Sequence, residues 1–308
     1  MNITLHPYKK IMFPFNLILK MLSAVVLAVL LSATPNAHAG EKSGSTYEIG
    51  LSMYSLRDLF RSGELHAHDY PDYAKETFGI TKIDVWDGGY PKGWQDDPDF
   101  LPELKRRADA AGSEIFLVMA GIVNATPEDE KTLKKNGLKY KSYVDQAEAL
   151  SAKFVRVFVK IDKALPDEES IRRASVALVA LADYAQPKGV TIAIEPTPKS
   201  TPLGSYLVQL VETVNRPNCK LMPDFGKMKG TDFYQGTADM MPQTVVVSAK
   251  GHDFNDDGSQ KDFDYPRLMK IIRDAGYTDI VAIEYEGKNL GPVEGVKAMQ
   301  KILEAGQQ

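Results

Sequence analysis

The segment Ile280-Val-Ala-Ile-Glu-Tyr-Glu286 decides the fold class, because its side chains alternate with the two-residue period of a β-strand. Branched and aromatic residues, Val281, Ile283 and Tyr285, take one face, whereas small and acidic residues take the other. This pattern is typical of a barrel strand, whose outer face lies under helices and whose inner face lies in a narrow interior. Residues 190–195 repeat the pattern and also end in a glutamate.

Outward from this segment, short β-branched runs alternate with longer amphipathic stretches along the chain. They predict eight strands, at residues 48–53, 81–86, 114–120, 154–160, 190–195, 220–224, 244–248 and 280–284. Helical patterns follow near residues 72–78, 98–111, 127–151, 167–186, 203–214, 231–240, 264–275 and 292–305. Eight such units in about 260 residues predict one α/β domain at 40–308, a (β/α)8 TIM barrel. A doubly wound sheet is the alternative, although about five to seven strands are more typical there.

Residues 1–39 are predicted to be a secretion signal and not part of the barrel. Residues 1–20 carry three lysines and no acidic residue, and an apolar run of 13 residues follows at 21–33. A spanning helix needs about 20 residues, and the small-residue pattern Ala37-His38-Ala39 completes a signal peptide. We expect cleavage after Ala39 and an exported, periplasmic protein without stable membrane association. An uncleaved membrane anchor is the alternative.

Composition excludes several classes of function. The net charge is −4 and no long basic run occurs, which argues against a nucleic-acid partner. The lone cysteine, Cys219, excludes an intrachain disulfide and a cysteine-based zinc cluster. The chain contains no G-x-S-x-G, P-loop or G-x-G-x-x-G motif, and nothing in it indicates an oligomeric state.

Three carboxylates at predicted strand ends form the candidate chemical site. Glu195 ends the fifth strand, Asp224 the sixth and Glu284 the eighth, on the face where barrel active sites are built. Buried carboxylates that point at one axis repel one another unless positive charge lies between them, and a divalent metal supplies it. The alternative is a set of salt bridges, with Arg156 on strand four and Lys250 after strand seven as the cations.

A second acidic motif lies in the stretch Asp253–Asp264. Oxygen-bearing residues at its positions 1, 3, 5 and 12, with glycine at 6, match the spacing of a calcium loop. Its position between a strand and a helix favours an ordinary βα turn.

Several blocks of the chain resemble the xylose-isomerase-like TIM barrels, a superfamily of sugar and sugar-phosphate isomerases and epimerases. The resemblance covers nearly the whole predicted mature chain and is carried by Leu51-Ser-Met-Tyr-Ser-Leu-Arg-Asp58, Ile83-Asp-Val-Trp-Asp-Gly88, Pro217-Asn-Cys-Lys-Leu-Met-Pro-Asp-Phe-Gly226, Asp264-Tyr-Pro-Arg-Leu-Met269 and Ala275-Gly-Tyr-Thr-Asp-Ile-Val-Ala-Ile-Glu-Tyr-Glu-Gly287.

The resemblance implies a divalent metal (Mn, Mg, Zn or Co) held by Glu195, Asp224 and Glu284. It also reveals two departures. Ser248 stands where relatives commonly place a histidine ligand on strand seven, and Pro196-Thr197 replaces a common Asn-His. A serine hydroxyl is a poorer ligand than imidazole for a zinc-like ion.

The resemblance further implies proton transfer next to a carbonyl, with Glu195 and Glu284 as base and acid. Lys250 would stabilise the enolate oxygen and supply part of the missing positive charge. We expect substrate contacts from six further residues: Tyr54, Trp86, Trp94, Arg156, His252 and Glu286.

These observations favour an exported sugar isomerase or epimerase that acts on a small-molecule carbohydrate. Two alternatives are a keto-sugar lyase or hydrolase on the same barrel and a non-catalytic carbohydrate-binding barrel that has lost the strand-seven histidine. The zinc-nuclease branch of the superfamily is excluded, because the predicted mature chain holds only His66, His68 and His252.

Overall fold

The computed structural model describes residues 47–197, 201, 203–226 and 233–307. The predicted secretion signal lies outside these residues, and it stays a prediction. Within the described ranges, no helix has the length and apolar character needed to span a bilayer.

Eight parallel strands form the centre of the fold, as the alternating pattern predicts. They are β1 (Glu48–Leu51), β2 (Lys82–Trp86), β3 (Glu114–Asn124), β4 (Phe154–Lys160), β5 (Thr191–Ile194), β6 (Cys219–Leu221), β7 (Val246–Gly251) and β8 (Ile280–Tyr285). Their order is β6-β5-β4-β3-β2-β1-β8-β7. Parallel bridges join Leu221 to Thr244 and Asp224 to Ser248, which brings the two outer strands together. The TIM-barrel prediction is confirmed, and the doubly wound alternative is wrong.

Helices follow the strands around the outside. The described residues contain α1 (Arg57–Ser62), α2 (Tyr70–Phe78), α3 (Phe100–Ala111), α4 (Glu130–Leu138), α5 (Lys141–Leu150), α6 (Asp167–Ala185), α7 (Gly204–Val214), α8 (Phe233–Met240), α9 (Tyr265–Asp274) and α10 (Pro292–Gly306). The helix predicted at 127–151 is therefore two helices. Asn136 and Gly137, both weak helix formers, precede the break.

The strand side chains divide into two cores, as the alternation predicts. Ile192 and Ile283 belong to the large core between sheet and helices. Ala193 and Ala282 belong to a smaller cluster on the opposite, inner face. The inner cluster also contains larger residues, among them Phe116, Met119 and Met222, so the barrel interior is filled by side chains.

Strand β7 is longer than the sequence pattern indicates. The prediction ended it at Ser248 and placed Lys250 after it, but the strand continues to Gly251. Lys250 pairs in register with Glu284 of β8. Since residues two apart share a face of a strand, Lys250 projects into the barrel with Ser248.

Gly137 of α4 provides a test of the helical layer. A Cβ at this position would lie 2.0 Å from the carbonyl oxygen of Ala177 in α6. Alanine normally stabilises a helix interior by about 1 kcal/mol over glycine. Here we expect Gly137→Ala to lower the free energy of unfolding by about 1–3 kcal/mol, because the backbones must separate.

Urea denaturation measures this change, with the exposed Lys134→Ala on the same helix as control. An increase in stability for Gly137→Ala would show that α4 and α6 are not in such close contact.

Candidate active site

The three predicted carboxylates meet at the carboxyl-terminal end of the barrel. Glu195 follows β5 directly, Asp224 follows β6 after two residues, and Glu284 lies in β8. They are 1%, 0% and 6% exposed. One carboxylate oxygen from each lies within 4.8 Å of the others. The barrel topology brings them together because parallel strands all end at the same face.

Ser248 occupies the space between two of these carboxylates. Its Oγ lies 2.9 Å from Asp224 Oδ2 and 2.7 Å from Glu284 Oε2. A hydroxyl has one proton and can donate it to one acceptor at a time. Ser248 can therefore donate to only one of the two carboxylates. The close contact with the other carboxylate requires a proton on that carboxylate or a cation beside it.

Lys250 is the cation closest to the cluster. Its Nζ lies 2.7 Å from Glu284 Oε1 and 3.4 Å from Asp224 Oδ2, and it also pairs closely with Glu286. Burial by itself would lower the pKa of this lysine, but the surrounding carboxylates outweigh it and raise the pKa well above its ordinary value. Lys250 is therefore a permanent ammonium.

Arg156 of β4 supplies a second cation, beside Glu195. Its Nε lies 3.0 Å from Glu195 Oε2 in an ion pair without hydrogen-bond alignment, and its Nη1 donates to the Ala120 carbonyl at 2.9 Å. The remaining oxygen of Glu195, Oε1, is buried without a partner. Burial, followed by repulsion from Asp224 and Glu284, raises the pKa of Glu195 well above its usual value.

Three buried carboxylates converge at this cluster, and Lys250 and Arg156 are cations that form ion pairs with them. The unpartnered Glu195 Oε1 and the convergence of the three carboxylates fit a divalent cation. The donor set contains oxygen alone, which suits a hard ion such as Mg²⁺ or Mn²⁺ better than zinc.

A cavity of about 290 Å³ opens beside the cluster. The tyrosine that follows β1 and the tryptophan that ends β2 meet there edge to face, with ring centroids 5.0 Å apart. Five predicted site residues line the cavity: Tyr54, Trp86, Arg156, Glu284 and Glu286. Six further lining residues are Asp87, Met119, Ala120, Gly121, Tyr143 and Phe158.

Two residues expected to contact substrate lie elsewhere. Trp94 packs between Tyr90 and Phe100, with ring centroids 5.1 and 5.8 Å away. The Nδ1 of His252 pairs with Asp262 Oδ2 at 2.8 Å. Neither belongs to the cavity lining.

The acidic stretch Asp253–Asp264 uses its carboxylates within the turn. Asp253 Oδ1 accepts from the backbone N–H groups of Lys288 and Asn289. Asp257 Oδ1 accepts from the N–H and hydroxyl of Ser259. These bonds are those of an ordinary βα turn.

Sequence reasoning missed a fourth carboxylate inside the barrel. Asp84 of β2 is fully buried, and its Oδ1 accepts from the Met53 N–H at 2.8 Å while its Oδ2 has no partner. Burial, together with the charge of Glu284, raises its pKa to about 8. The sequence did contain a signal for Asp84, because it is an acidic residue within the apolar run Ile83–Trp86. It stands two residues before Trp86 and therefore shares a face of the strand with it.

The raised pKa of Asp84 predicts a pH-dependent stability. The folded protein holds a proton on Asp84 up to about pH 8, whereas the unfolded chain releases it near its ordinary pKa. The wild type therefore loses stability relative to Asp84→Asn as the pH rises between these values. We expect the free energy of unfolding of Asp84→Asn, minus that of the wild type, to increase by about 2–4 kcal/mol between pH 5 and pH 8.5.

Urea denaturation of both proteins at the two pH values measures this difference. The contributions of most other titrating groups cancel, because both proteins contain them. A difference that does not change with pH would mean that Asp84 is ionised throughout.

Comparison with known proteins agrees with this architecture. The family model described as xylose isomerase-like TIM barrel matches residues 71–305. No curated protein matches the chain. A solved structure of L-ribulose 3-epimerase superimposes with a TM-score of 0.67 at 13% identity, covering 85% of this chain and 95% of that one.

Two further solved structures are similar. The IOLI protein with a bound zinc atom has a TM-score of 0.66 at 17% identity, covering 84% of this chain and 98% of its own. The probable 3-DHS dehydratase AsbF from Bacillus anthracis has a TM-score of 0.65 at 15% identity, covering 83% and 98%. At these identities the superpositions show a shared fold and nothing more. The family model, in contrast, matches most of the chain by sequence. The chain therefore belongs to the xylose isomerase-like TIM barrel family.

Proposed function

We propose that the protein is an exported sugar isomerase or epimerase that moves a proton at a carbon next to a carbonyl. The observation that carries this proposal is the buried cluster of Glu195, Asp224 and Glu284 beside a cavity with aromatic walls. The epimerase among the structural neighbours supports it. Export rests on the signal pattern of residues 1–39.

Glu195, Asp224, Glu284 and Ser248 would hold a divalent metal. When bound, the metal would polarise the substrate carbonyl and stabilise the negative charge that develops on its oxygen. The fit is one of donor chemistry, because three buried carboxylates converge there and Glu195 Oε1 has no protein partner.

The two glutamates are equipped for different roles. Lys250 binds Glu284 Oε1 and Ser248 lies against Oε2, so donors on both oxygens stabilise the anionic form that a base requires. Glu195 pairs with Arg156 through Oε2, and its carboxyl would be the group that carries a proton and returns it. We assign Glu284 as the base and Glu195 as the acid, with the reverse roles in the opposite direction.

Lys250 and the aromatic residues would act on different parts of the sugar. The Lys250 ammonium is ion-paired with Asp224, Glu284 and Glu286, so it would act on a developing enolate through the positive charge that it places beside Glu284. Tyr54 and Trp86 present ring surface to the cavity, on which the apolar face of a sugar ring can pack.

Elimination is the second candidate reaction. The same proton abstraction next to a carbonyl leads to elimination when the adjacent carbon carries a leaving group. The group lost is then water or a sugar unit linked through oxygen. The dehydratase among the structural neighbours favours this possibility. The two reactions separate by product: an isomer of unchanged mass, or a product lighter by the lost group.

Solvent exchange tests proton transfer directly. We expect the manganese-loaded wild type to incorporate deuterium from heavy water into free ketoses. Glu195→Gln and Glu284→Gln should each slow the exchange by about 10²–10⁴-fold, because each removes a proton-transfer group. NMR or mass spectrometry of the recovered sugar measures the rate.

The exposed Glu64→Gln is the matched control and should exchange like wild type. Absence of exchange and of elimination with every ketose tested would favour the non-catalytic carbohydrate-binding barrel.

Replacement of Ser248 tests the metal site. We expect Ser248→His to bind Zn²⁺ at least about tenfold more tightly than wild type, because imidazole is the better zinc ligand. The affinity for Mg²⁺ should change far less. Calorimetric titration of each ion measures both constants.

Ser248→Ala is the matched control, and it should not gain zinc affinity. Failure of the wild type to bind any divalent ion would overturn the metal-assisted mechanism. An unchanged zinc affinity in Ser248→His would show that position 248 does not face the ion.

A further inference from the structure

A second polar pair lies in the cavity, apart from the carboxylate cluster. Asp87 follows Trp86 at the end of β2, and Tyr143 comes from α5. The Tyr143 hydroxyl donates to Asp87 Oδ2 at 2.6 Å, and both residues line the cavity. Strand β1 separates β2 from β8, so the pair lies roughly 10 Å around the barrel from Glu284, at about 4.8 Å per strand.

Tyr143 holds Asp87 in a defined position. Burial and the neighbouring carboxylate raise the pKa of Tyr143 above its ordinary value, so the phenol keeps the proton that it donates. Within the described part of the chain, Oδ1 of Asp87 has no side-chain or backbone donor. Asp87 is half-buried and faces the cavity, so this oxygen is available to a ligand.

The surroundings of Asp87 match the chemistry of a polyhydroxylated ring. The Trp86 indole lies next to it along the chain, and Phe158 lines the same cavity. A sugar presents C–H groups to aromatic faces and hydroxyl donors around its edge. A fixed carboxylate beside aromatic surface therefore recognises sugar hydroxyls by charge-assisted hydrogen bonds.

We propose that Asp87, positioned by Tyr143, binds hydroxyl groups at the end of the sugar remote from the reacting carbon. This inference rests on the proposed function, because it assumes that the reacting carbon lies at the carboxylate cluster. The cavity volume of about 290 Å³ lies at the lower end for small-molecule pockets, which favours one free monosaccharide.

Asp87 would then determine specificity without taking part in proton transfer. A site built to accept a hydroxyl proton rejects an analogue that lacks the hydroxyl, because the carboxylate is left without its partner. Sugars that lack the distal hydroxyls should therefore bind weakly, whether or not their reacting ends are intact.

Binding of D-fructose and L-ribulose to the full chain tests the proposal, with and without Mn²⁺. Intrinsic fluorescence reports on the site, since Trp86 lines the cavity. We expect Asp87→Asn to raise the dissociation constant of the bound ketose about tenfold, and Tyr143→Phe about threefold. The ketose concentration that half-saturates proton exchange should rise by the same factors.

Tyr140→Phe is the matched control. Tyr140 precedes α5, and its hydroxyl donates to the Ile122 carbonyl at 2.6 Å, but it does not line the cavity. This variant loses one tyrosine hydrogen bond, as Tyr143→Phe does, and should bind both sugars like wild type. Thermal denaturation of all three variants separates loss of binding from loss of folding.

The outcomes separate this proposal from the proposed function. Weaker binding by Asp87→Asn, without any proton exchange in the wild type, would support the sugar site and overturn the proton-transfer reaction. Proton exchange by the wild type, together with unchanged ketose binding by Asp87→Asn, would overturn the role of Asp87 and leave the proposed function standing. Failure of both sugars to bind the wild type would overturn both.

Discussion

Neutralisation of buried carboxylates is the constraint on which the rest of this site depends. Isolated anions in a barrel interior are too costly to bury, so each must have a cation, a donor or a proton. Lys250 pairs with Asp224 and Glu284, Arg156 pairs with Glu195, and Ser248 lies between two members of the cluster. Glu195 Oε1 stays without a protein partner where the three carboxylates converge, and this convergence is the physical basis for a divalent ion.

The same constraint gives the two glutamates different properties. Glu284 is surrounded by an ammonium and a hydroxyl, whereas Glu195 has an unpartnered oxygen and a raised pKa. Acid and base catalysis need two groups that hold their protons with different strength. The asymmetry comes from the neighbours on β4 and β7, since the two side chains are chemically identical.

Much of this organisation was predictable from local pattern. The two-residue alternation in 190–195 and 280–286 identified barrel strands, and the acidic strand ends identified the cluster. Asp84 was missed because an acid in an apolar run is also compatible with a strand end at the surface. Tyr143 carries no local signal, since a tyrosine on an amphipathic helix usually packs on the core.

The chain order of strands and helices, the faces of the strands and the family of the barrel can all be read from local sequence. These follow from the period of the side chains and from local motifs, which act over a few residues. Tertiary structure decided that Lys250 lies inside β7, that Trp94 and His252 lie outside the cavity, and that Asp87 meets Tyr143. Such contacts join residues far apart in the chain, and their geometry exists only once the barrel has closed.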